Sequence, residues 1–189
     1  MSFANLPMPI LRIASIEQRS TVSFFAMKRQ PRSKTAAEWI DHLGLEPHPE
    51  GGWYRETHRS AQIVDSPRHG ERSAFTSILF LLEPPQVSRL HRLDAEELWN
   101  WHAGSHLKIH IFSGSGEKEE RRLGPSRDAS FQTVAPANQW FGAEVEDDGW
   151  CLVGCVVAPG FEFGRFQLGD RGRLLGEYPL HAETILRLT

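Results

Sequence analysis

Hydrophobic and polar positions alternate along most of this chain in short runs, and helical spacing shows only near the two ends of the domain. Residues 34–43, KTAAEWIDHL, predict a short helix. Ser33 or Thr35 caps it, Trp39, Ile40 and Leu43 form its apolar face, and Gly44 stops it. Pro47, Pro49 and Gly51-Gly52 then form a rigid turn. Residues 53–60, WYRETHRS, alternate as a strand. Tyr54, Glu56 and His58 take one face and Arg55, Thr57 and Arg59 the other. Residues 74–82, AFTSILFLL, are the most hydrophobic stretch and predict a core strand ended by Pro84-Pro85. Further strands are predicted over 107–112, 117–123, 131–134, 141–145 and 150–157, with an extended return over 161–168 and a closing helix over 181–188. Many short strands between Gly, Pro and Asn turns predict an all-β sandwich or barrel with short terminal helices. No strand–helix–strand alternation is present, which argues against a doubly wound fold.

The stretch 88–104, SRLHRLDAEELWNWHAG, organises the rest. His91 ends a short extended run, and a polar break begins at Asp94. Period-two alternation puts Glu97, Trp99 and Trp101 on one strand face. A carboxylate among large rings is costly unless it is paired or liganded, so this face predicts a pocket. His91 is near enough in sequence to meet Glu97 across a tight turn. The structural alternative for Glu97 is a buried pair with Arg55 or Arg89. Arg55 and Thr57 share a face and offer an anion clamp and a hydroxyl donor, and Trp99 offers a ring for stacking. His106, Lys108 and His110 alternate against Leu107, Ile109 and Ile111, which predicts a solvated or interface face for the histidines.

Charge and length narrow the classes. The 189 residues suit one domain over 34–189 with an arm over 1–33, disordered or exchanged with a neighbour. A formal net charge of -3 makes no electrostatic case for nucleic acid or an anionic membrane as partner. No apolar stretch approaches the roughly 20 residues of a membrane span, and no secretion signal is expected at the N-terminus. Cys151 and Cys155 lie four apart in a strand-like run. That puts them on one face but about 13 Å apart, too far to bond. Two buried free thiols suit a reducing compartment, and a cytoplasmic location is expected. Residues 114–118, GSGEK, lack the spacing of a phosphate loop, and no Gly-x-Ser-x-Gly elbow occurs.

Five stretches together resemble the cupin superfamily, and within it the branch called Cupin_5: EGGWYRETHRS at 50–60, TSILFLL at 76–82, LHRLDAEELWNWHAG at 90–104, VAPANQWFGAEV at 134–145 and VAPGFEFGRFQL at 157–168. The resemblance implies a jelly-roll double-stranded β-helix and a homodimer, for which the N-terminal arm offers strand exchange. Metal-binding cupins carry two histidines and a glutamate in a first motif and a third histidine in a second. By position, His91 matches the first histidine and Glu97 the glutamate, whereas Leu93 and Phe141 stand where the other two belong. Two protein ligands are fewer than a stable site needs, so neither a bound metal nor another cofactor is expected. His58, His102 or Gln139 would have to complete an altered site.

The expected function is binding of a small molecule, sugar-like or nucleotide-like, with His91 and Glu97 as the reactive pair and Arg55, Thr57, Trp99 and Gln139 as ligand contacts. The alternative is a sugar-nucleotide epimerase or isomerase, because neighbouring deoxysugar epimerases of the superfamily use a histidine base in such a barrel.

Overall fold

The alternation seen along the chain folds into strands because each buries one side and turns the other to solvent or to a helix. The structure, a computed structural model, describes residues 34–66 and 70–189, and the predicted arm over 1–33 lies outside them. In chain order the elements are α1 (Ala36–Leu43), β1 (Glu46–Pro47), β2 (Trp53–Arg59), β3 (Ile63–Ser66), β4 (Gly70–Ser73), β5 (Thr76–Leu82), β6 (Ser88–Arg92), β7 (Glu96–Gly104), β8 (Leu107–Phe112), β9 (Lys118–Leu123), β10 (Gln132–Ala135), β11 (Trp140–Val145), β12 (Cys151–Ala158), β13 (Gln167–Leu168), α2 (Arg171–Glu177) and α3 (Ala182–Arg187).

Two sheets make the jelly roll. One has six strands in the order β1-β2-β5-β12-β7-β10, and the other has five in the order β13-β6-β11-β8-β9. The hairpin β3-β4 stands apart, and the hydrogen-bond ladder does not close into one barrel. Phe80, Trp99, Ile109, Ile111, Phe141, Val153 and Cys155 from the inner faces share the main core. Both cysteines are free and buried in it, as expected.

The outer faces are covered by helices. Thr35 caps α1 through a capping box with Glu38, and Gly44 ends it in the left-handed region at φ 61°. Ala36, Trp39, Ile40 and Leu43 of α1 pack with Leu81 and Leu152 on the back of the first sheet. Leu174, Tyr178, Ile185 and Leu188 pack with Leu90, Phe112 and Trp140 on the back of the second. This second cover corrects the expectation for His110. It does point away from the core, but it is fully buried, with Nε2 2.9 Å from Glu144 Oε1. Arg187 of α3 grips the same carboxylate. Tertiary cover decides burial here, and strand parity alone does not reveal it.

Two local expectations also change. The stretch over 161–168 forms a 3-10 turn at Phe163–Arg165 and only a two-residue strand, β13. The expected C-terminal helix is preceded by α2, capped by Asp170, whose glycines at 172 and 176 weaken its helical pattern.

Candidate functional site

The first sheet's inner face ends in a cavity of about 120 Å³, lined by residues of β1, β2, β5, β6, β7, β12 and the 161–166 segment. The register of β7 with β12 explains its floor. Glu97 pairs with Val157 and Trp99 with Cys155, so these four side chains face inward together. Glu97 is 6% exposed and lines the cavity, while Trp99 lies deeper. Trp99 packs edge-on to Phe80 at 5.9 Å and to Phe141 at 6.4 Å, within the core and not on the cavity wall.

His91 enters from the second sheet. Between β6 and β11 the register shifts, so that Phe141 opposes His91 and Ala143 opposes Ser88. This bulge turns Ser88 and His91, three residues apart, to the same inner side. The His91 ring meets Phe141 at 4.2 Å and Phe166 at 5.3 Å. Its Nδ1 lies 2.8 Å from the Arg89 carbonyl oxygen, which can only accept, so Nδ1 carries the hydrogen. Nε2 is left for Glu97, whose Oε2 is 4.0 Å away, a charge contact too long for a hydrogen bond. Leu93 stands in the cavity wall, and Phe141 is buried against the imidazole.

A second acid completes the cluster. Glu50 Oε2 lies 3.3 Å from His91 Nδ1, and Glu50 Oε1 accepts the Ser88 hydroxyl at 2.8 Å. The turn holding Glu50 depends on Gly51, at φ 107°, where a Cβ would come within 2.2 Å of the Val87 carbonyl oxygen. Close approach lets Arg89 N–H donate to the Glu50 carbonyl at 2.9 Å and tucks the side chain inside. Burial pushes the Glu50 carboxyl up to about 7, against the opposing pull of the His91 charge. Burial lowers His91, but the Glu50 and Glu97 carboxylates and the Arg89 carbonyl outweigh it and leave its pKa raised. Burial and then the His91 charge lower His48 to about 4, which leaves it neutral at neutral pH. Burial likewise raises the Cys155 thiol well above its ordinary range, so it is no thiolate nucleophile.

One atom of this cluster has no partner. Glu97 Oε2 is buried without a hydrogen bond in the cavity. Buried acceptors are nearly always satisfied, and this one lines a cavity in which another molecule, water included, has room to donate to it.

The expected contacts are brought together only in part. His91 and Glu97 meet. Arg55 and Thr57 are exposed and do not line the cavity. Arg55 lies near Gly44 beside α1, and the Thr57 hydroxyl donates to the Ser77 carbonyl at 3.0 Å. Gln139 lines a separate surface cleft with Lys118 and His181. The face assignment of β2 is also corrected. The ladder shifts between Glu56 and His58, so Thr57 is bulged and parity reverses after it. Arg59 then joins Tyr54 and Glu56 at the cavity, and His58 stacks outside on Phe75 at 5.3 Å. His102 is exposed over Gly154 on the outer face. Among the described residues no group of three or more His, Cys, Asp or Glu is arranged to hold a metal ion. The donor set around Leu93 and Phe141 does not fit the metal that cupins commonly carry.

Glu50, His48 and the phenylalanines at 161, 163 and 166 were not anticipated as site residues. A signal existed for Glu50: a carboxylate directly before two glycines in a turn between β1 and β2.

The family model described as Cupin_5, cupin superfamily (DUF985), matches residues 37–169. A hypothetical protein from Leishmania major is similar at 34% identity with a TM-score of 0.78, over 82% of this chain and 99% of that one. A protein from Shewanella oneidensis is similar at 38% identity with a TM-score of 0.77, over 83% and 98%. Oxalate decarboxylase from Bacillus subtilis is similar at 15% identity with a TM-score of 0.49, over 76% of this chain and 36% of that one. No curated protein matches.

Proposed function

Because this chain belongs to the Cupin_5 family of the cupin superfamily, we propose that its cavity binds a small molecule bearing hydrogen-bond donors, with Glu97 and His91 as the residues that hold it. The observation that carries this reading is Glu97 Oε2, buried and unpartnered in the cavity wall, 4.0 Å from His91 Nε2. A ligand O–H or N–H supplies the missing partner, and His91 Nε2, 4.0 Å from that oxygen, adjoins the same ligand. The aromatic walls supply apolar area, the usual character of such sites. The proposal extends to a homodimer, suggested by the family, and to a cytoplasmic location, suggested by two buried free thiols. No helix among the described residues is long and apolar enough to cross a membrane.

A second reading, acid–base isomerisation of that molecule, is favoured by one observation. Glu50 has its carboxyl pushed up to about 7, and it touches His91. Such a pair keeps the imidazole oriented by Nδ1 and leaves Nε2 to give or take a proton toward the cavity.

Native mass spectrometry tests the binding and the assembly in one spectrum. The wild type should appear as a dimer carrying a small co-purified molecule, and Glu97→Gln should appear as a dimer with that mass much depleted. A molecule retained equally by both proteins counts against the site, and a monomer mass counts against the assembly.

A further inference from the structure

The cavity wall carries an unequal charge. Glu46, Glu50, Glu56 and Glu97 line it, against one guanidinium, Arg59, and two imidazoles, His48 and His91. Arg59 is engaged already: Nε and Nη2 donate to Glu56 at 3.1 and 2.7 Å, and Nη1 donates to the Phe161 carbonyl at 3.1 Å. His48 is neutral at neutral pH. His91 stands between two carboxylates, at 3.3 Å from Glu50 and 4.0 Å from Glu97. The imidazole lies nearer Glu50 than Glu97, and Glu97 Oε2 has no hydrogen-bond donor although it is buried. A buried carboxylate oxygen left in this state is costly unless a further positive donor reaches it.

The remaining wall is aromatic. Tyr54, Phe80, Phe161, Phe163 and Phe166 line the same space. Phe161 meets Phe163 at 4.9 Å and Phe166 at 6.1 Å, which gathers the three rings on one side. Ring faces attract cations, and apolar walls exclude the water that would screen Glu97.

We propose that the molecule taken by this cavity is a small organic cation, an amine whose ammonium N–H donates to Glu97 Oε2 while its carbon skeleton lies against the phenylalanines. This rests on the binding reading above and adds the sign of the ligand's charge. It runs against a nucleotide-like ligand. A phosphate would meet four acidic side chains and, among the described lining residues, no guanidinium without a carboxylate partner.

Three probes with one carbon skeleton and three charges separate the possibilities: butylammonium, 1-butanol and butyrate, titrated calorimetrically into the full chain at neutral pH. Butylammonium should bind about tenfold or more tightly than 1-butanol, and butyrate should give no binding heat. Glu97→Gln should reduce butylammonium to the affinity of 1-butanol. The wild-type comparison stands by itself if that variant fails to fold. Equal affinity for butylammonium and 1-butanol overturns the cation assignment and leaves the binding reading intact. Preferred binding of butyrate overturns it too. Silence from all three probes also overturns it, and the co-purified molecule then decides the binding reading on its own.

Discussion

At the scale of single residues, Glu50, His91 and His48 titrate as a group, and their shifts fix how stability depends on pH. Glu50 has a pKa of about 7 in the folded chain against an ordinary 4.5, so the folded state binds more protons between those values and loses stability as pH rises through them. His91, raised above 6.5, adds stability that is complete below 6.5 and is lost as pH rises through its folded value. His48 acts oppositely: lowered to about 4, it favours folding as pH rises from about 4 to 6.5. Glu50 and His48 offset one another below about 6.5, and above it Glu50 and His91 act together, so stability should fall from there. Glu50→Gln removes the Glu50 part. Relative to wild type it should gain stability between pH 5 and pH 8, by up to about 3 kcal/mol for a carboxyl carried from 4.5 to about 7. Urea unfolding of both proteins at pH 5, 6.5 and 8 measures this, and a difference that stays constant with pH contradicts it. The sequence exposes His91 and Glu97 because they flank one tight turn on successive strands. It hides Glu50, which reaches them only after the 48–52 turn docks on β6, a contact between segments about 40 residues apart in the chain.

At the scale of elements, that docking depends on backbone conformation. Gly51 and Gly116 both have positive φ, 107° and 87°, but a Cβ at Gly51 would meet the Val87 carbonyl at 2.2 Å, while one at Gly116 meets nothing within 4 Å. Gly116→Ala should therefore cost only the left-handed backbone, about 1 kcal/mol. Gly51→Ala should cost about 3 kcal/mol or more, because the turn must also lift from β6. It should also weaken binding, since Glu50 moves with the turn. Denaturant midpoints compare the two directly, and equal losses would mean that the turn is not held by this contact. Strand parity from sequence holds wherever the ladder is regular, as along β7 from Glu97 to Trp101. It fails at the bulge at Thr57 and at the shift between Ser88 and His91. An extra residue in one strand leaves no mark in an alternation of polar and apolar types, yet it decides that Arg59 rather than His58 reaches the cavity.

At the scale of the whole molecule, the fold is legible because turn residues recur at strand-length intervals and both core strands, β5 from Ile78 onward and β12 throughout, are runs without a charged or polar side chain. The cover is less legible. α1 announces itself by its cap and Gly44, whereas the burial of His110 depends on two C-terminal helices folding back over β8 and β11. The central claim is that Glu97 is kept unpartnered for a ligand and not for the fold. A group kept for function at a cost to stability can be removed without loss, and its removal often helps. The most direct test is equilibrium denaturant unfolding of ligand-stripped Glu97→Gln against ligand-stripped wild type. The amide keeps the shape, removes the uncompensated charge and can donate where the carboxylate could only accept. An unchanged or higher midpoint with the same denaturant slope is predicted. A loss of about 3 kcal/mol or more, the size expected when a buried pair is broken, would make Glu97 a structural partner of His91 and contradict the account.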